Sequence, residues 1–594
     1  DATVVEKVGQ MPEQTLQRVS TTMAAKPTRE MHLCVANMRQ EFTLTAQCNI
    51  DLLANSLRIA GPDADRTPWR NERLFLKYAF STHEKPILTD KGDREIERCL
   101  EAGYLPVVHA SWDTDGIAFQ QSSLATMLMT GIADDEENRR GDEPVVLLQK
   151  WVAKNTTQKP ASAYLWTEFS KKVPMQVEDG LIRLETASDG KTCEGLTPVR
   201  GWLDTRGKGI LEVIPDCVPA IPGTEDQDLQ DPAAPRPALR YRVELAPGEE
   251  HTFYFNVTYI ELLDSGELAA LKAKNYDDCH DEVVNYWNAW LGRGAQYEVP
   301  EPELNNFYKA NLWHVIGSTD KDPETGLYHQ GAATVRYANF ANETAMVSQS
   351  LEMRGEHEEA IRLLEPFLAC QGVKILPGNF RSKEGLMYAA HPDPENDPYT
   401  AQGYNMHHGW ALWKIAEHFK YTRDADWLKS VSDKLIAACD WITSERQSTK
   451  FTHPDGSRPV EWGLLPAGDL EDVAEYLYFY STNAYSYIGL AVAADVLGQI
   501  GHPEADRLRK DAQDYAVDIM ASVREAVANC PVVALKDGTW IPFVPPRSHV
   551  HTHRKEGWIR EGLYSSIHLL EGELLKPLDL MVDWILQELE DNIF

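Results

Sequence analysis

The sequence predicts an α+β protein: an N-terminal antiparallel β-sandwich followed by an (α/α)6-type helical toroid. Three observations predict it. Residues from about 30 to 260 carry short apolar runs bounded by Gly, Pro and Asp. From 303 onward the apolar residues recur at helical spacing. Within that second half one pattern repeats, a helix apolar on most sides, a short turn, then a strongly amphipathic helix.

Residues 1–28 are polar and aperiodic and read as an arm or a short helix. Residues 29–260 read as the sandwich. Its strands include Tyr104-Leu-Pro-Val-Val-His-Ala, Gly180-Leu-Ile-Arg-Leu-Glu and Ile210-Leu-Glu-Val-Ile. The clearest pair is Leu239-Arg-Tyr-Arg-Val-Glu-Leu and His251-Thr-Phe-Tyr-Phe-Asn-Val-Thr, flanking a Pro247-Gly248 turn. Many short strands between turn clusters suit a sandwich. Residues 221–237, rich in Pro, Asp and Gly, read as a surface loop.

Residues 261–300 read as linker helices, and 301–594 as the toroid. Helices are expected over 305–318, 343–354, 356–370, 410–420, 424–443, 483–500 and 503–527, with a last pair near 557–570 and 577–592. Hairpin turns fall at Arg354-Gly-Glu-His, Tyr421-Thr-Arg-Asp and Ile500-Gly-His-Pro. Long inserts at 319–340, 371–406, 444–482 and 530–556 hold much of the Gly, Pro, Trp, Tyr, His, Asp and Glu. A helical solenoid has short, uniform loops, so these inserts argue against one and for functional loops on rigid hairpins. Five hairpins can be argued for, while a closed ring needs six. Part of the toroid is therefore expected to lie outside this sequence.

The bulk numbers narrow the function. The 91 acidic and 58 basic side chains give a formal charge of −33. Such a surface repels a phosphate backbone or an anionic membrane, so neither is an expected partner. No apolar run is long enough for a transmembrane helix. The nine cysteines are odd in number and show no CxxC spacing, which excludes a disulfide scaffold or a Cys-based metal site. Cys370 and Cys439 read as small core residues. No Walker A loop and no dinucleotide glycine motif occurs. No cofactor is expected. Export and cytoplasmic residence are both left open.

Five segments carry a resemblance. They are Leu245-Ala-Pro-Gly-Glu, Asn342-Glu-Thr-Ala-Met, Tyr404-Asn-Met-His-His-Gly-Trp, Gly463-Leu-Leu-Pro-Ala-Gly-Asp-Leu-Glu-Asp-Val and Trp558-Ile-Arg-Glu-Gly-Leu-Tyr. Over about 240–594 the pattern resembles the six-hairpin glycosidase-like enzymes, which place a β-sandwich before an (α/α)6 toroid. The resemblance implies a carbohydrate-active enzyme with an oligo- or polysaccharide substrate. Glycoside hydrolysis is the first expectation, uronate lyase chemistry the second, and non-catalytic glycan binding the third.

The residues supply candidates for that chemistry. Glycoside hydrolysis uses two carboxyl groups, about 5–5.5 Å apart for retention and about 6.5–9.5 Å apart for inversion. Glu343 and Glu561 start inner-type helices, where a carboxylate also complements the helix dipole. Asp469 and Glu471 belong to an acidic cluster whose mutual repulsion can raise a pKa, or which simply caps a short helix. His407 and His408 stand before another inner helix. Adjacent histidines point to different helix faces, so a metal pair there is not expected. His549, His551 and His553 alternate and share one face if extended, which could bind a metal although the spacing holds no carboxylate; a sugar-contact loop is an equal reading. Tyr399, Tyr404, Trp462, Trp540 and Trp558 are candidate stacking platforms, although each also suits a core. Arg381, Arg547 and Arg560 can bind a carboxylate or a hydroxyl. A lyase would instead use Tyr404 or His408 as base.

Overall fold

The computed structural model describes residues 30–52, 74–81, 96–169, 174–184, 199–218, 235–331, 338–470, 476–549 and 565–593, plus isolated positions before residue 16. The expected N-terminal arm therefore lies largely outside the described residues. The chain forms two compact units, one of residues 20–337 and one of residues 338–594 with 1–19.

The first unit is built on two antiparallel sheets. One runs Met31–Cys34, Glu41–Leu44, Ile50–Leu52, Leu74–Ser81, Ala161–Phe169, Arg236–Leu245, Ile210–Cys217 in spatial order. The other runs Met175–Glu178, Leu181–Leu184, Val199–Asp204, Glu250–Leu262, Val145–Asn155, Ile117–Met127, Leu105–Thr114, Glu97–Glu101. Alternation sets the faces: Ile117 and Phe119 are buried, while Ala118 and Gln120 turn outward. The sheets face each other through Tyr241 and Phe253, with ring centroids 4.9 Å apart, and through Phe42 and Tyr259 at 5.9 Å. Burying each such ring contributes about 1.5–3 kcal/mol, which makes this inter-sheet layer the core of the unit.

The strands flanking Pro247-Gly248 form as the alternation predicts, yet they do not pair with each other. Arg236–Leu245 belongs to one sheet and Glu250–Leu262 to the other. Gly248, at φ +74, closes a turn in which Glu249 N–H donates to the Ala246 carbonyl at 3.0 Å. Both strands are apolar on the face that meets the opposite sheet, so the turn makes a corner between layers. Among its described residues are also three α-helices, α1 (Ser265–Ala273), α2 (Tyr276–Leu291) and α3 (Pro302–Gly317). Asp264 caps α1 by accepting from Gly266 N and Glu267 N, and Asn275 caps α2 through Asp277 N.

The second unit is helical. Its pairs are α4 (Ala341–Arg354) with α5 (His357–Ala369), α6 (Met406–Thr422) with α7 (Ala425–Arg446), and α8 (Tyr480–Gln499) with α9 (Ala505–Asn529). A shorter pair follows, α10 (His568–Glu571) and α11 (Leu580–Glu588). The hairpin turns fall where the sequence predicts them. Gly355, Arg423 and Gly501 adopt positive φ there, ending each first helix.

The first helix of each pair forms an inner layer. Helix α6 packs between α4 and α8, and α8 also packs on α10. The α6–α8 crossing is backbone on backbone. A Cβ on Gly409 would lie 2.6 Å from Ser486 N, and one on Gly489 would lie 2.9 Å from the Gly409 carbonyl. Fifteen residues of α8 are buried, which explains its lack of a polar face. The second helices keep one polar face; on α7, Leu428, Leu435, Cys439 and Ile442 are buried. Cys370 and Cys439 are free and buried, as small core residues. Four such pairs are described; a closed six-pair ring is not among the described residues.

Candidate active site

Helices α4, α6 and α8 run in one direction. Phe340 meets His407 at the starts of α4 and α6, Glu352 meets His418 toward their ends, and Gly409 meets Ser486 near the starts of α6 and α8. Their N-terminal ends therefore share one side with the long inserts that precede them. The inserts pair with one another there. Asn339 bridges Thr400, Gly378 bridges Gly468, Gly468 bridges Leu477, and Phe479 bridges Arg547. Asn405 N–H donates to the Asp469 carbonyl at 2.9 Å, and Leu465 N–H donates to Asn483 Oδ1 at 2.9 Å in the first turn of α8. The inserts before α6, α8 and α10 thus form one connected layer over the inner-helix starts.

Glu343 sits in the first turn of α4 and is half-buried. Burial alone pushes its carboxyl above the ordinary glutamate value. Just before it, Phe340 lies 5.8 Å from the Tyr404 ring and 6.0 Å from His407. Asn339 N–H donates to the Tyr399 carbonyl at 2.8 Å. The first turn of α4, Tyr399, Tyr404, His407 and the backbone of Asp469 therefore share one neighbourhood. Asp469 itself is half-buried.

The two histidines are both buried, and burial pushes each down to about 4. They differ in their partners. His408 donates from Nε2 to the Ala438 carbonyl at 3.1 Å and accepts at Nδ1 from Met387 N–H at 3.0 Å. Both nitrogens are engaged, so His408 is a neutral structural residue with a fixed tautomer. His407 donates from Nε2 to the Gln402 carbonyl at 2.9 Å and stacks on Tyr388. Its Nδ1 finds no partner among the described residues.

A second group gathers the expected candidates His549 and Trp462 around Glu461, an acid the sequence did not single out. Glu461 is 7% exposed and accepts from His549 Nε2 at 2.8 Å. Burial pulls the Glu461 carboxyl upward, but the His549 hydrogen bond and charge outweigh it and hold the group below the ordinary value. The same hydrogen bond raises His549. The Tyr478 ring stands 5.5 Å from His549, and Trp462, next to Glu461, carries the Arg458 guanidinium 4.3 Å over its ring. The acid-then-tryptophan step Glu461-Trp462, in an insert ahead of an inner helix, was the available signal.

Other candidates have structural work. Arg381 is exposed, and its backbone N–H, with that of Ser382, donates to the buried Glu445 carboxylate. Tyr399 is 1% exposed, beside Asp397, whose carboxylate accepts from Tyr399 N–H and pairs with Lys374 at 2.6 Å. Arg547 is buried, with its guanidinium over the Phe479 ring at 5.9 Å. Trp540 is 65% exposed on a short hairpin. Glu471, Glu561, Trp558, Arg560, His551 and His553 lie outside the described residues. Among the described residues no group of His, Cys, Asp and Glu is arranged to hold a metal ion, and no helix is long and apolar enough to cross a membrane.

An antiparallel sandwich followed by helix pairs, with long inserts gathered over the inner-helix starts, is the α+β architecture that the sequence predicts. Among solved structures the chain is similar to a bacterial glucoamylase complexed with acarbose, with TM-score 0.45 and 10% identity over 89% of this chain and 72% of that one. It is also similar to a family GH92 inverting mannosidase of Bacteroides thetaiotaomicron, with TM-score 0.32 and 12% identity over 80% and 60% of the two chains. A metal-independent α-mannosidase of Streptococcus pneumoniae matches with TM-score 0.30 and 12% identity over 44% and 66%. No family model and no curated relative matches the sequence.

Proposed function

We propose that this protein is a carbohydrate-active hydrolase that cleaves glycosidic bonds at the insert-covered ends of α4, α6 and α8. One observation supports the reading: two carboxyl groups near inner-helix starts, Glu343 in the first turn of α4 and Glu461 in the insert before α8, carry opposite perturbations. Burial favours the protonated form of Glu343, and His549 favours the ionised form of Glu461. A glycosidase needs this division, with one carboxyl donating a proton to the leaving oxygen and the other staying charged. Half-buried Trp462 and buried Tyr404 add apolar faces suited to a sugar ring. The acidic surface neither attracts nor repels a neutral glycan.

The test is reducing-sugar release from a panel of oligosaccharides by the wild type, Glu343→Gln and Glu461→Gln. Each variant is expected to lose about 10²–10⁴ of kcat with its melting transition retained. Full activity in both variants overturns the assignment. Lyase chemistry on uronates would instead leave a carbon–carbon double bond in the product, with an ultraviolet absorbance that hydrolysis does not generate. The engagement of both His408 nitrogens removes that residue as a lyase base.

A further inference from the structure

In the N-terminal unit, strand register sets a row of side chains across one face of the eight-stranded sheet. His109 stands directly opposite Ser122 on the neighbouring strand, and Ser122 directly opposite Lys150 on the next. Ser122 Oγ lies 2.8 Å from His109 Nδ1. The other ring nitrogen, His109 Nε2, lies 2.6 Å from Glu101 Oε2. His280, on α2, reaches the same carboxylate oxygen at 3.3 Å. Burial pulls the Glu101 carboxyl upward, but hydrogen bonds from His109 and His280 hold it below its ordinary value, so it is charged. Over this row opens a half-open pocket of about 400 Å³, lined by Glu97, Arg98, His109, Ser111, Gln120 and Ser122.

A cross-strand Ser–His hydrogen bond by itself is ordinary sheet chemistry. Two features go beyond it. A carboxylate fixes the far side of the imidazole, so Nε2 carries the proton and Nδ1 presents its lone pair to the serine hydroxyl. The hydroxyl also borders a cavity of the size that small ligands occupy. Nucleophile, base and orienting acid at hydrogen-bond distances are the signature of an activated nucleophile, whichever ring nitrogen serves.

We propose that Ser122, His109 and Glu101 form a second, hydrolytic site in the N-terminal unit that acts on small carboxylic esters. Ser122 Oγ bonds to the ester carbonyl carbon as its proton passes to His109 Nδ1. The carbon–oxygen bond to the alcohol breaks, and the alcohol leaves with that proton. Water then attacks the acyl-serine, giving a proton to His109. The Oγ–carbon bond breaks, the acid departs, and the proton returns to Ser122. Lys150 is the register neighbour of Ser122, and its ammonium is held by Asp277 at 2.8 Å. The site is independent of the carbohydrate reading and of the helical unit.

The full chain is incubated with a fluorophosphonate, which phosphonylates an activated serine with loss of fluoride, and the adduct is mapped by peptide mass spectrometry. An adduct on Ser122 is expected, together with p-nitrophenyl acetate hydrolysis that falls at least about tenfold in Ser122→Ala and in His109→Gln. Glycan cleavage by Ser122→Ala is expected to stay unchanged, which separates this site from the first. No adduct on Ser122 in the wild type, or esterase activity equal in wild type and Ser122→Ala, overturns the proposal. The wild-type mapping needs no variant to fold.

Discussion

Glu461 and His549, 88 positions apart, meet through a 2.8 Å hydrogen bond that joins two successive inserts over the start of α8. The carboxylate is buried, while the imidazole is 47% exposed at the side chain. Each favours the charged form of the other, so the pair is a device for keeping a buried carboxylate ionised.

Removing the imidazole undoes that device. In His549→Ala, Glu461 keeps its burial and loses its donor, so its pKa rises. The acid limb of the kcat/KM profile is expected to move to higher pH. The stability arm has a fixed sign. Glu461 is depressed, so its contribution is lost as pH falls through its folded value. His549 is raised, so its contribution is lost as pH rises through its folded value. The difference in melting temperature between wild type and His549→Ala is therefore expected to peak between about pH 4.5 and 6.5 and to shrink on either side. A pH-independent difference would mean that the pair is not ionic.

His407 and His408 predict acid sensitivity. Both are fully buried and pushed down to about 4. Below the ordinary imidazole value the unfolded chain takes up protons that the folded chain refuses, so stability falls with pH. Each histidine is expected to cost roughly 2 kcal/mol between pH 7 and pH 5. Urea unfolding of His407→Phe at both pH values checks this. The variant should lose less stability on acidification than wild type by about that amount.

Glu343 carries the opposite sign. Its folded pKa is raised by burial, so the folded protein prefers the proton, and stability drops as pH rises through the glutamate range toward neutrality. Glu343→Gln is expected to melt higher than wild type at pH 7 and no higher at pH 4, while losing about 10²–10⁴ of kcat. Calorimetry at the two pH values measures the first effect. Gained stability with lost turnover is the pattern of a strained functional group.

Gly409→Ala adds one carbon where α6 meets the α8 backbone at 2.6 Å. The neighbour is main chain and cannot rotate away, so a loss of about 1–3 kcal/mol or more is expected, read by chemical unfolding. An unchanged midpoint would show that the two helices can part without strain.

The sequence carries the helix pairs because each leaves a local trace: apolar spacing, a left-handed turn residue such as Gly355 or Gly501, and a cap such as Asp424, whose side chain accepts from Asp426 and Trp427 N–H. Glu343 was legible for the same reason, as an acid at the start of such a helix. The corner at Pro247-Gly248 was not, since alternation shows which face is apolar but not which sheet a strand joins. Glu461 and His549 were invisible as a pair, because inserts with no period leave nothing to register one against another. His408 reads like His407 in the chain, and only their partners separate a fixed structural ring from one with an open nitrogen.

The contact of Gly409 with Ser486 and Gly489 welds two inner helices by their main chains. At that point main chain meets main chain, so the spacing of the two helices is set by backbone rather than by the choice of rotamers. Mutations in the covering inserts can therefore accumulate without disturbing the scaffold, and new specificities can be tried by exchanging inserts while α6 and α8 stay as they are.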